Sequence, residues 1–273
     1  MDRAPHPADA HPPSEIARLV ERLGVAKART DTVTLVVLAM LAGAFISLGA
    51  LFFTVVVTEP RLGFGVTRLL GGLSFSLGLV LVVVARAELF TGNNLLAMAW
   101  ASRLTSTRDV MRNWLLVYFG NVIGCLGTVL FVVWAEVGGL GGGSVGETAI
   151  PIARAKAGLS LGEAFARELL CNALVCLAVW LTMGGRSVAD KILGVLFPIT
   201  AFVAVGFEHS IANWFFLPYG LALDELGAVS SVGVAWNLVA VSAGNVVGGT
   251  LLVAGVYWVV YLRGERKRER PSS

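Results

Sequence analysis

The sequence predicts an all-α integral membrane protein of six transmembrane helices in an inverted 3+3 repeat, with the second and fifth helices broken. Three observations carry this. First, the 273 residues are 56% hydrophobic and only 14% charged, against roughly 25% charged in a soluble domain. Second, windows 33–57, 113–135, 169–185 and 226–262 are apolar runs near or above the ~20 residues that cross a hydrocarbon core. Third, windows 69–100 and 192–221 are apolar but interrupted, at Arg86-Ala87-Glu88 and at Glu208-His209.

The elements follow in order. Residues 14–27 place Ile16, Leu19, Val20 and Leu23 on one face opposite charges, an amphipathic helix that serves as anchor or gate. The first crossing, 34–57, spaces Gly43, Ser47 and Ala50 for close helix contact, and Glu59-Pro60 ends it. The second starts near Val66, halts at Arg86 and resumes as a half-helix to about Trp100, with Thr91 or Asn93 as the expected N-cap. The third, 112–135, holds Gly120-Asn121-Val122-Ile123-Gly124. Residues 138–146 are glycine-rich and read as a flexible outer loop, because no Gly-Lys-Ser/Thr ending makes them a phosphate loop. The fourth, 161–183, carries Glu168 and Asn172 one turn apart. The fifth breaks at Glu208-His209, and the sixth, 233–262, holds Gly244-Asn245-Val246-Val247-Gly248.

Basic residues sort by side. Arg18, Arg22, Lys27, Arg29, Arg103, Arg108, Arg112, Arg186, Lys191 and the cluster from Arg263 to Arg270 share one face, which the positive-inside rule makes cytoplasmic, together with both termini. The expected location is the inner (cell) membrane. The net charge of +3 is thus a topology signal, with the lipid bilayer and no nucleic acid as partner. The domains are a cytoplasmic segment, 1–30, a membrane domain, 31–262, and a basic tail, 263–273. The first 30 residues lack the apolar run of a secretory signal. Cys125, Cys171 and Cys176 fall in apolar segments as small hydrophobes, so no disulfide, metal set or cofactor is expected.

The pentapeptide of the sixth helix repeats that of the third. The match extends backwards, since Glu88 precedes Asn93, and Glu208 precedes Asn213, by five positions. Three crossings per half is odd, so the halves run through the membrane in opposite senses. Broken helices at matching positions point to a midplane site, and ionisable residues there mark a pathway. The half-helices after Thr91 and after His209 begin with unpaired N–H groups and a positive dipole end, which favour an anion. Lys156, on the outer side, adds an attracting cation unless it is simply a solvated surface lysine.

Several segments resemble the formate/nitrite transporter family: Ala87-Glu88-Leu89-Phe90-Thr91-Gly92-Asn93, the stretch from Asn113-Trp114 to Gly120-Asn121, residues 170–178 around Asn172, residues 202–213 around Phe207-Glu208-His209-Ser210-Ile211-Ala212-Asn213, and the Asn245 pattern. The resemblance covers roughly residues 30 to 262. It implies a homopentamer whose protomers each hold an aquaporin-like pore for formate, nitrite or hydrosulfide. It implies His209 as the central pore histidine, Thr91 as its hydrogen-bonding partner, and Lys156 as the basic residue of the outer vestibule. Glu208 and Asn172 are implied near that lysine or the histidine, and Phe75, Leu79, Leu89, Phe90 and Phe202 as apolar constrictions. Arg86 and Glu168 depart from the family, standing where most members are expected to carry glycine. Being opposite in sign, they are expected to pair across a helix contact, since a lone buried charge costs more than a paired one; alternatively Arg86 faces the inner pore mouth.

An anion passing apolar rings bears a desolvation cost that its neutral acid avoids. Proton delivery around His209 is therefore expected to assist passage. An enzyme using Glu208 and His209 would lack a nucleophile, metal or cofactor motif, so no enzymatic activity is expected. A neutral-solute channel of aquaporin type would carry a paired Asn-Pro-Ala signature that is missing here.

Overall fold

The computed structural model describes residues 10–59 and 61–264. The start of the N-terminal segment, Pro60 and the basic tail from residue 265 lie outside the described residues.

Among these the chain is helical, without strands. In order come α1 (Pro13–Ala28), α2 (Thr32–Val56), α3 (Phe64–Val84), α4 (Phe90–Asn93), α5 (Ala97–Ala101), α6 (Thr107–Trp134), α7 (Ser144–Ala157), α8 (Leu161–Gly184), α9 (Val188–Val205), α10 (Ser210–Leu223) and α11 (Ser231–Val247). The last continues in π-helical turns to Leu262. Among the described residues six helices are long and apolar enough to cross a membrane: α2, α3, α6, α8, α9 and extended α11. Their exteriors expose Val37, Leu130, Phe131 and Phe197, a surface suited to hydrocarbon. The protein is therefore a multi-pass membrane protein.

Local chemistry starts the helices. Asp31 Oδ1 accepts from the Thr34 N–H at 3.0 Å, and Ser160 with Glu163 and Ser187 with Asp190 form capping boxes. Each pairs first-turn donors that would otherwise be orphaned. Packing then sets the core. A Cβ on Gly124 would collide with the Met40 carbonyl, and Cβ atoms on Gly244 and Gly248 with the Phe165 and Leu169 carbonyls. Glycine lets α2 approach α6 and α8 approach α11, the contact that replaces the hydrophobic drive inside lipid.

Both breaks are closed alike. The Ala87 N–H reaches the Val82 carbonyl at 2.9 Å, and the Phe207 N–H reaches that of Phe202 at 3.0 Å. A left-handed residue makes each turn, Arg86 with φ 56° and Gly206 with φ 88°.

Two expectations change. Only the first part of the glycine-rich stretch is irregular; α7 begins at Ser144 and buries Val145, Ala149, Ala153 and Ala157, one apolar residue per turn. The half-helix after the first break has Leu89 at its N-cap, with no side-chain cap. Neither Thr91 nor Asn93 is needed there, because Asn121 Oδ1, reaching from α6, accepts the Phe90 N–H at 2.9 Å.

Candidate functional site

The breaks lie between two cavities. One, of about 430 Å³, is lined by Phe75, Phe202, His209, Glu208 and Lys156; it is the α7-side vestibule. The other, of about 440 Å³, is lined by Leu79, Leu89, Glu88, Lys27 and Arg86, with α1 forming part of its wall. Phe75 and Leu79 sit one turn apart on α3 yet face different cavities, so the partition there is about one turn thick.

Rings fill that partition. Phe75 and Phe202 meet edge to face with centroids 5.6 Å apart, and His209 lies 5.7 Å from Phe202 and 6.2 Å from Phe75. His209 caps α10, its Nδ1 accepting from the Ala212 N–H at 3.1 Å. A neutral imidazole accepting at Nδ1 carries its proton on Nε2. The cap therefore leaves Nε2–H as the donor.

Each vestibule holds the same polar network. On the α7 side Lys156 Nζ donates to Glu208 Oε1 at 3.0 Å, and Asn213 Nδ2 donates to Glu208 Oε2 at 2.6 Å and to Asn237 Oδ1 at 2.8 Å. Asn237 Nδ2 donates to the Lys156 carbonyl at 2.9 Å. On the α1 side Lys27 Nζ donates to Glu88 Oε2 at 2.9 Å, and Asn93 Nδ2 donates to Glu88 Oε2 at 2.7 Å and Asn113 Oδ1 at 2.9 Å. Asn113 Nδ2 closes the ring on the Lys27 carbonyl at 3.1 Å. The lining carries three basic residues against one acidic in each vestibule: Arg68, Lys156, Arg167 and Glu208, then Lys27, Arg86, Lys191 and Glu88. Both mouths therefore favour anions.

Lys27, Asn113 and Asn237 had no assigned site role in the sequence, Lys27 serving only as a topology marker. The signal was present: Ala26-Lys27-Ala28 and Ala155-Lys156-Ala157 each stand just before a capped helix, with the lysine four positions ahead of Asp31 and of Ser160.

Other expected residues fall differently. Asn172 lines neither cavity; its Nδ2 donates to the Asn245 carbonyl at 2.6 Å, bracing α8 on α11. Phe90 lines neither and packs edge-on against Tyr118 at 5.0 Å. Thr91 is buried, and its hydroxyl has no hydrogen-bond partner, so no bond joins it to His209. The Arg86–Glu168 pair is not formed. Glu168 is fully buried with Oε1 accepting from Asn245 Nδ2 at 2.6 Å, while Arg86 is exposed at the α1-side cavity. The burial cost that motivated pairing arises for the acid alone, and an amide meets it at Oε1 only, since Glu168 Oε2 is buried without a hydrogen-bond partner.

Two anion-favouring vestibules separated by an aromatic and imidazole partition define a helical membrane channel for small anions. The chain belongs to the formate/nitrite transporter family, whose profile matches residues 14–259. Formate channel FocA of Escherichia coli K12 is 38% identical over 96% of this chain and 98% of its own. A probable formate transporter of Methanothermobacter thermautotrophicus is 35% identical over 92% and 97%. Among solved structures, a pentameric formate channel with formate bound superposes with TM-score 0.80 at 38% identity, covering 85% of this chain and 98% of that one. An FNT family ion channel superposes with TM-score 0.82 at 25% identity, covering 90% and 99%.

Proposed function

We propose that this protein is a channel for formate, not an enzyme, working as a homopentamer with one pore per protomer. Both termini are assigned to the cytoplasm and the membrane domain to the cell's inner membrane, in keeping with the basic residues on the α1 side. The two halves act as an inverted repeat, a reading supported by the paired Lys-Glu-Asn-Asn networks. Formate is the substrate in view because the Escherichia coli relative and the pentameric structure described above are formate channels.

The observation that carries the mechanism is His209 set among Phe75 and Phe202 as the cap of α10. The excess of basic over acidic residues in each vestibule, Lys156 with Arg68 and Arg167 on one side and Lys27 with Arg86 and Lys191 on the other, raises the local anion concentration. Between them an uncompensated charge is expensive, so formate crosses the partition as formic acid. The proton reaches it at the partition, where Nε2–H of His209 is the polar hydrogen; Thr91, whose buried hydroxyl has no hydrogen-bond partner, is the second candidate that the family resemblance offers. Phe75, Phe202, Leu79 and Leu89 exclude water and other ions.

The test is uptake into proteoliposomes of formate, nitrite and hydrosulfide at two pH values, in wild type and His209→Asn. Asparagine is itself a good N-cap, so the variant keeps α10 while losing the imidazole. Formate uptake that rises at lower pH in wild type, and a much weaker pH response in the variant, are expected. An unchanged pH response would remove His209 from the proton route.

A further inference from the structure

The two breaks share their backbone hydrogen bonds but differ in the residue that makes the turn. Two positions before Glu208 it is Gly206, and two positions before Glu88 it is Arg86. Glycine takes the left-handed conformation freely, whereas an L-residue is strained there. The turn needs no side chain, so strain kept at Arg86 directs attention to its guanidinium.

Arg86 lines the α1-side cavity, is exposed, and makes no side-chain hydrogen bond or ion pair among the described residues. Lys191, in the first turn of α9, lines the same cavity and is equally unengaged among the described residues. The third cation there, Lys27, is committed to Glu88 and Asn93. The α7 side differs, because Arg68 is spent on the Val203 and Ala204 carbonyls at 2.6 and 2.9 Å, which leaves Arg167. Leu19, Leu23, Val83 and Val179 make the rest of the α1-side wall apolar.

We propose that Arg86, with Lys191, forms a docking site for short-chain monocarboxylates in the α1-side vestibule. The guanidinium fork matches a planar carboxylate in a bidentate way, the ammonium adds a point charge, and the apolar wall accepts an alkyl group. The proposal rests on reading the chain as a formate channel. It gives the two faces different apparent affinities for an anion that shares one partition.

Arg86→Gly is the test, because it installs the residue found at the matching turn. The variant is expected to keep or raise the thermal midpoint, which separates binding from folding. Labelled formate flux is measured in proteoliposomes of uniform orientation, with formate presented to either face. Half-saturating formate on the α1 side is expected to rise about five-fold, with weaker salt dependence and weaker competition by acetate, while the α7-side value stays. Lys191→Gln is expected to act in the same direction. An unchanged α1-side value, or an equal change at both faces, overturns the site. If wild type passes no formate from either face, the channel reading fails instead. Calorimetric titration of detergent-solubilised wild type and Arg86→Gly with acetate then decides the site, equal heats overturning it.

Discussion

Removing Lys156 should cost more stability than removing Lys27, although both lysines belong to the same network. Lys156→Met deletes the Nζ that holds Glu208 Oε1 at 3.0 Å, leaving the carboxylate with Asn213 at 2.6 Å and Asn237 at 3.4 Å. The Glu208 side chain is only 4% exposed, so water does not replace the lost partner. Stripping a buried charge of its partner costs about 3–5 kcal/mol, and the two remaining amide donors place the expected loss near the lower end, about 3 kcal/mol. Adding Glu208→Gln removes the charge, and the double variant should recover about 2 kcal/mol of that loss. In the Lys27–Glu88 cycle the side chains are 32% and 10% exposed; solvent screening should reduce the coupling to about 1 kcal/mol or less. Thermal denaturation of detergent-solubilised wild type, single and double variants measures both cycles. Equal couplings in the two vestibules, or none at Lys156–Glu208, would refute the argument that burial sets the strength of this ion pair.

Gly124→Ala should destabilise by about 2 kcal/mol, because its Cβ would strike the Met40 carbonyl and drive α2 from α6. Gly127→Ala, on the same helix with open space at its Cβ, should be neutral or slightly stabilising in the same melts. The Thr34 N–H holds the Asp31 carboxyl below the usual carboxylate range, and the Val229 and Ala228 N–H groups do the same for Asp224. Their depressed values mean that the Asp31 cap and the Asp224 loop contact contribute stability above the unfolded-state value and lose it as pH falls through the folded one. Asp31→Ala should therefore flatten the acid limb of a stability–pH curve; a curve parallel to wild type would deny the cap its role.

The membrane class, the crossings and both breaks were legible because apolar runs and their interruptions are one-dimensional features. The Gly-Asn-Val-x-Gly pattern was legible as a repeat, and the structure adds that its Gly124 and Gly248 lie against carbonyls that allow no Cβ. Lys27 was legible only in part. As one basic residue among several before the first helix it served as a topology marker, and its partnership with Glu88 appears only when α1 folds back over the cavity. Glu168 was misjudged because opposite charges invite pairing on paper, while its actual partner, Asn245, is neutral and lies 77 positions away.

The sequence by itself determined where the chain crosses the membrane, where it breaks, and on which face most basic residues gather, since hydropathy, turn chemistry and charge are properties of residues in order. Only the tertiary structure decided which side chains line which cavity. It put Phe75 and Leu79 in different vestibules, turned Asn172 into a brace, made His209 the cap of α10 with Nε2–H as its donor, and left Arg86 facing a cavity. Those outcomes depend on which carbonyl or carboxylate lies within about 3 Å of a given donor, a distance set by helix packing.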